Sequence, residues 1–282
     1  MNRRKEDRRA PSKPQGTLII IGGREDKVGE RRILREVARH ITNGRLVLAT
    51  IASHNREGYL ERYQASFGEL GVHEVTELYI DDREEARHPD KLRCLDDVHA
   101  IFFSGGDQLR ITSQIAGTPV YDRICEIYQN GGVIAGTSAG ASAMSETMLV
   151  QGPDISVFHF GDVHMAPGLS LLPGVIIDQH FAERGRLGRL LGAVSQNPRA
   201  LGIGIDEDTA IVVKGNLFKV IGSGAVYLVD ASDVTYSDVS EERLSETPSI
   251  CDLKLHVLGE GQTFDLESRR PAAGSLAGFD IG

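Results

Sequence analysis

The 282-residue chain is short of several features that would each open a class of function. No run approaches the ~18 apolar residues of a membrane helix, so a spanning helix is not expected. Cysteine is scarce: Cys94, Cys125 and Cys251 are far apart, odd in number and fit no metal spacing. That argues against a disulfide framework and against a bound metal, and it points to a soluble, reducing compartment, the cytoplasm. Positive charge is also in deficit, with 31 Lys and Arg against 40 Asp and Glu, a net charge of −9. No basic stripe runs through the chain to track a phosphate backbone, so nucleic acid is not an expected partner. The exception is residues 1–15, with Arg3, Arg4, Lys5, Arg8, Arg9 and Lys13. This stretch has no apolar segment, so it does not read as a signal peptide. It is too polar to bury a core and reads as a disordered lead-in. Gly22-Gly23 has neither the G-x-G-x-x-G pattern nor a Walker lysine–hydroxyl pair, which leaves a nucleotide site unsupported. With no internal repeat and no clear linker, residues 16–282 read as a single domain.

Glycine is abundant, with 32 residues, and it falls where strands should end. Thr17 to Ile21 is a β-branched run that stops at Gly22-Gly23, as suits a strand buried on both faces. Ile33, Leu34, Val37, Ala38 and Ile41 then recur at helical spacing. Strands follow at Leu46 to Ile51, Val75 to Ile80, Val98 to Phe103 and Val133 to Ala135, with helical patterns at Tyr59 to Leu70 and Val120 to Tyr128. This alternation predicts an α/β fold: a doubly wound, mostly parallel sheet flanked by helices, with the active crevice beyond the carboxyl ends of the strands. Past Val150 the rhythm shortens. A strand is expected at Val175 to Ile177 and a helix at Leu187 to Val194. The runs Ala200 to Asp206, Ala210 to Val213, Leu217 to Ile221 and Ala225 to Val229 read as C-terminal antiparallel hairpins.

Gly136-Thr137-Ser138-Ala139-Gly140 carries the chemistry. It matches G-x-S-x-G after an apolar strand, with a helical pattern (Ala141, Met144, Met148) behind it, which is the setting of a nucleophile elbow. The N–H of Ala139 would face a developing oxyanion. A plain glycine-rich turn is the competing reading. A serine hydroxyl needs a base. Among nine histidines His180 stands out, just past a buried strand inside Asp178-Gln179-His180. His54 ends another strand, and His159 with His164 makes a weak metal pair. The orienting acid is sought in Asp206, Glu207 and Asp208, with Asp178 and Asp162 also in contention. The order serine, histidine, acid departs from that of ordinary α/β-hydrolases. Arg184, Arg186 and Arg189 follow His180, and Arg184 and Arg186 are expected in the first turn of a helix, where positive charge opposes the macrodipole. They suit a fork for a carboxylate, the alternative being a solvated basic turn. In Ser104-Gly105-Gly106-Asp107-Gln108 a backbone N–H would complete the oxyanion hole, and Gln108 would touch substrate.

Several blocks together resemble the family of serine peptidases that contains cyanophycinase and aspartyl dipeptidase. They are Ile21-Gly22-Gly23 with Glu25-Asp26-Lys27, Phe103 to Gln108, Gly136 to Ala141, Asp178 to Phe181 with Arg184 to Arg189, Gly204 to Glu207, Leu255 to Leu258 and Phe264 to Leu266. The resemblance runs from about Gly16 to Pro271. It implies a serine exopeptidase without a cofactor or metal, acting on cyanophycin, a polyaspartate with arginine on each β-carboxyl, and releasing β-Asp-Arg dipeptides. By that likeness Ser138 is nucleophile, His180 base and Glu207 the acid, with Gly106 and Ala139 at the oxyanion. Gln108, Asp178, Gln179, Arg184, Arg186 and Arg189 would surround the substrate. The resemblance also implies a homodimer. The alternatives are an aspartyl or isoaspartyl dipeptidase on the same fold, or a catalytically silent amidotransferase-like binding module.

Overall fold

Alternating aliphatic residues give each central strand two buried faces, and the fold grows from what covers them. The computed structural model describes residues 16–41, 44–151, 163–239 and 246–272. Five parallel strands form the first sheet's core: β1 (Thr17–Ile21), β2 (Arg45–Ala49), β3 (Glu74–Leu78), β4 (Ala100–Phe103) and β5 (Val133–Thr137), in the order β3-β2-β4-β5-β1. On β1, Ile19 and Ile21 face α1 (Arg32–Arg39) and α2 (Tyr59–Gly68), packing with Ile33, Leu34, Val37 and Phe67. Leu18 and Ile20 face the other way, into a core shared with α5 (Pro119–Gln129) and with a second sheet. Two shorter helices, α3 (Pro89–Arg93) and α4 (Gln108–Ile115), lie between β3 and α5 in the chain.

After β5 comes the short α6 (Ala139–Ala143), and then a strand where helical spacing had been read. Met148 lies in β6 (Ser145–Gln151), which pairs with β7 (His164–Pro167) and runs parallel to β8 (Leu172–Gln179). The helix breaks after one turn because Ser145 and Thr147 find partners in β8. Next come α7 (Leu187–Gln196), β9 (Leu201–Ile205), β10 (Thr209–Lys214), β11 (Leu217–Gly222) and β12 (Val226–Asp230). These short runs do not all belong to one set of hairpins. β10 and β11 pair antiparallel and extend the first sheet beyond β1, followed by Thr263–Asp265 and Arg270–Pro271. β9 and β12 belong instead to the second sheet, ordered Lys254–Leu258, β12, β9, β8, β6, β7. The fold is therefore α/β with a parallel core in the first sheet and antiparallel C-terminal strands, as expected, but the described residues build two large sheets and a small two-stranded one (Tyr236–Ser237 with Ile250–Cys251) rather than a single sheet. The helix α7 covers the outer face of the second sheet through Leu190, Ala193 and Val194. Among the described residues no helix is long and apolar enough to cross a membrane, and no group of three His, Cys, Asp or Glu is arranged to hold a metal. The basic stretch 1–15, His159 and Asp162 lie outside the described residues.

Candidate active site

The two sheets meet where β5 and β1 end on one side and β8 and β9 on the other. Ser138 follows β5 with φ 53° and ψ −112°, a conformation L residues adopt only at a cost of order 1–3 kcal/mol. The turn is close-packed: a Cβ at Gly140 would come within 2.7 Å of the Phe103 side chain on β4. That is why the motif needs a glycine there, and the serine is half-buried just past the carboxyl end of a central strand. β8 and β9 run parallel with Gln179 beside Ile205, so the residues that follow, His180 and then Glu207, emerge side by side.

The exit of β1 acts as a backbone ruler between the two sheets. The N–H of Ser138 donates to the Ile21 carbonyl (3.1 Å), that of His180 to the Gly22 carbonyl (2.8 Å), and that of Asp208 to the Gly23 carbonyl (2.8 Å). Gly23 has φ 115°, and a Cβ there would lie 2.6 Å from His180 Nε2, so only glycine lets the ring come so close. Gly22-Gly23, an empty match for a nucleotide loop, instead spaces Ser138 from His180.

The side chains complete the line. Ser138 Oγ lies 3.0 Å from His180 Nε2, and His180 Nδ1 lies 2.6 Å from Glu207 Oε1. The serine proton has a second acceptor, Gln179 Oε1 at 3.3 Å. Burial lowers the His180 pKa, and the charges of Arg184 and Arg186 push the same way while Glu207 pulls it up. The net depression keeps the imidazole neutral, in the form that accepts a proton.

The other acids are occupied elsewhere. Asp206 accepts the N–H groups of Ala182 and Ala225, and its pKa is raised by burial. Asp208 accepts the Asp26 N–H and the Ser223 hydroxyl. Asp178 is fully buried: Arg189 Nε donates to it at 2.6 Å, with a second contact from the same guanidinium, and Arg186 approaches at 3.4 Å. Arg186 also donates to the Gln179 carbonyl at 2.6 Å. These two arginines thus brace the end of β8 from behind. Arg186 is the residue before α7, and Arg184, three residues before it, is exposed. Gln108 turns its amide to the Leu149 carbonyl (2.7 Å). Gly106 lines the cleft with Ser138, and Ala139 opens α6 behind it. His54 is held by Arg110 Nη1 at 3.0 Å.

Residue-by-residue reading did not foresee the rest of the cleft, about 340 Å³ in volume. Arg24, Lys27, Tyr59, Arg62 and Tyr63 line it, above a buried Glu25. Glu25 accepts from Lys27 Nζ, Tyr63 OH and Thr137 Oγ1, each at 2.6 Å. Burial, then the charge of Glu25, raises the Tyr63 pKa well above its usual value, so the phenol remains a donor. Asp26 shapes the loop by accepting the N–H groups of Val28, Gly29 and Arg31, which lowers its pKa to about 2. The available signal was a charged triplet, Glu25-Asp26-Lys27, directly past a strand's carboxyl end.

Residues 18–221 match the family described as peptidase family S51. Over 262 residues the chain is 37% identical to a protein named cyanophycinase from Thermosynechococcus vestitus, covering 91% of this chain and 81% of that protein. A cyanophycinase from Geminocystis herdmanii is 36% identical over 264 residues, covering 92% and 97% respectively. The crystal structure of a peptidase from an acI-B1 actinobacterium has the same fold, with a TM-score of 0.64 at 21% identity over 90% of this chain and 98% of that one.

Proposed function

Because the chain belongs to peptidase family S51 and is a peptidase, we propose that it is a serine exopeptidase that degrades cyanophycin. The observation that carries this reading is the unbroken line of contacts from Ser138 through His180 to Glu207. His180 Nε2 takes the proton of Ser138 as Oγ attacks a carbonyl of the polymer. Glu207 holds the imidazole in the tautomer with its proton on Nδ1 and stabilises the imidazolium that forms. The N–H groups of Ala139 and Gly106 receive the oxyanion, where one such donor is worth about 2.7–4 kcal/mol. The proton on Nε2 then passes to the leaving amine, and the acyl group remains on Oγ. Water, deprotonated by the same imidazole, releases it.

Asp178, Gln179, Arg184, Arg186 and Arg189 are assigned to the substrate side of the site, directly or by support. In this structure Arg186 and Arg189 support, since both contact Asp178. Gln108 is assigned to substrate contact through the turn it shares with Gly106. The products are β-Asp-Arg dipeptides, and the active form is a cytoplasmic homodimer of one α/β domain starting at residue 16.

The test is release of dipeptide from purified polymer by wild type and by Ser138→Ala. The variant should fold normally and lose at least about 10³-fold in kcat, since removing a nucleophile leaves only binding and oxyanion stabilisation. Wild-type rates in the variant would end the proposal. Free aspartyl dipeptides assayed in parallel separate a polymer-degrading enzyme from a dipeptidase.

A further inference from the structure

The mechanism above gives no work to the most charged part of the cleft. Arg24, Lys27 and Arg62 line it beside Ser138, against a single lining acid, Glu25. Glu25 is turned away from any ligand: its side chain is 1% exposed and already accepts from three donors. The cations are not withdrawn in this way. The Lys27 side chain is 29% exposed, so its ammonium reaches Glu25 and still meets the cleft. The Arg62 guanidinium lies over the Tyr59 ring, 5.2 Å from its centroid, and pairs with no acid among the described residues. Arg24 gives one nitrogen to Glu207 at 3.3 Å and is otherwise exposed.

A cleft with three cations and an inward-facing acid repels a guanidinium and attracts an anion. The nucleophile lies within the same cavity, so the anion has to belong to the unit being cleaved. Lys27 supplies a point charge with rotatable donors, and Arg62 a planar fork that matches the two oxygens of a carboxylate. We infer that Lys27 and Arg62 form a carboxylate subsite that holds the substrate's terminal unit beside Ser138. This rests on the exopeptidase reading and deepens it. If the carboxylate held is the backbone's own, which only the chain terminus bears, the subsite also confines cleavage to that end; the arginyl α-carboxylate, present on every unit, would fix the unit without selecting an end. The polymer's guanidinium groups are then directed out of this cavity.

Two carboxylates of the terminal unit have the right chemistry: the backbone's own α-carboxylate and the α-carboxylate of the attached arginine. Three short β-aspartyl-arginine oligomers separate them: the parent, one with its backbone terminus amidated, and one with agmatine in place of the terminal arginine. Wild type should lose about tenfold or more in kcat/KM on one of the two altered oligomers, as expected for a lost charge-assisted contact. That oligomer identifies the carboxylate. Arg62 is exposed, so Arg62→Gln should fold normally. It should act poorly on the parent and discriminate little between parent and altered oligomer, and Arg62→Lys should restore part of the difference. Lys27→Gln, checked by thermal melting because Lys27 also serves Glu25, should behave like Arg62→Gln. Equal wild-type rates on all three oligomers, or undiminished discrimination in both variants, overturns the subsite. If wild type cleaves none of them but does cleave other peptides, the polymer reading itself fails and the subsite falls with it.

Discussion

Replacing Glu207 by Gln tests the triad more sharply than deleting the serine, because the substitution preserves shape and removes one charge. Glu207 Oε1 lies 2.6 Å from His180 Nδ1, and the two side chains are 16% and 9% exposed. In the transition state the imidazole is positive, so the carboxylate acts as an ion-pair partner in partial shelter. Two unit charges 4 Å apart at an effective dielectric constant of 20 attract by about 4 kcal/mol. At about 1.36 kcal/mol per decade that is roughly 10³ in kcat. Part of this is regained from solvent, while a Gln amide turned toward Nδ1 favours the wrong tautomer. A fall between about 10² and 10⁴ is therefore expected, in the range found for a comparable change in a chymotrypsin-like triad. The pH profile gives a second reading. Only neutral His180 is a base, so kcat/KM rises with pH through the pKa of His180, which burial places below 6.5. Glu207 raises that pKa, so in Glu207→Gln the acid limb should move to still lower pH. Steady-state kinetics from pH 4 to 9, with circular dichroism to verify folding, would measure both effects. A kcat within tenfold of wild type, or an acid limb displaced upward, would refute the role given to Glu207.

Two further outcomes follow from the packing around this line. Gly23→Ala places a methyl group 2.6 Å from His180 Nε2 at a φ of 115°. The ring must move, and a displacement near 1 Å costs about 10² in kcat; near-wild-type turnover in a folded variant would contradict the ruler role of β1. Asp178→Asn removes the buried partner of Arg189 and Arg186. Breaking such a pair costs roughly 3–5 kcal/mol, or about 6–10 °C in Tm for a chain of this size. Calorimetry showing a change below about 2 °C would mean that the arginines find other partners.

The approach of Ser138 to His180 was legible because each sits where a short-range pattern ends. Ser138 lies in a glycine-framed motif behind an apolar strand, and His180 follows a buried run at the end of β8. The parallel core was legible for the same reason, since β-branched runs and glycine stops are local signals. What escaped depends on pairing between distant segments. Met148 fits a helical stripe as well as a strand, and only β7 and β8, both beyond residue 163, decide for the strand. The arginines before and within α7 read as a fork for a carboxylate or as a solvated basic turn because their charge was visible and the fully buried Asp178 that Arg186 and Arg189 contact was not. Arg62 and Tyr63 sit on a helix that was read only as a helical pattern, with no chemistry attached to it. Their part in the cleft appears only when α2 lies against the Glu25 loop.

The strained residues show why the site is built across two sheets. Arg24, Ser138, His180 and Asp208 all adopt positive φ without being glycine, and all lie at the place where the sheets converge. Each conformation is costly alone, of order 1–3 kcal/mol. Each is also anchored: Ser138, His180 and Asp208 donate their N–H groups to three successive carbonyls of residues 21–23, and Arg24 follows directly. An elbow confined to one sheet would leave its base on a loop free to drift. Here the same three carbonyls fix both the turn that presents the hydroxyl and the strand ends that present imidazole and carboxylate. The strain is therefore offset by backbone hydrogen bonds, which also set the spacing of Ser138, His180 and Glu207. It follows that substitutions in residues 21–23 should damage turnover more than substrate affinity, whereas substitutions at Arg62 should act mainly on the recognition of substrate.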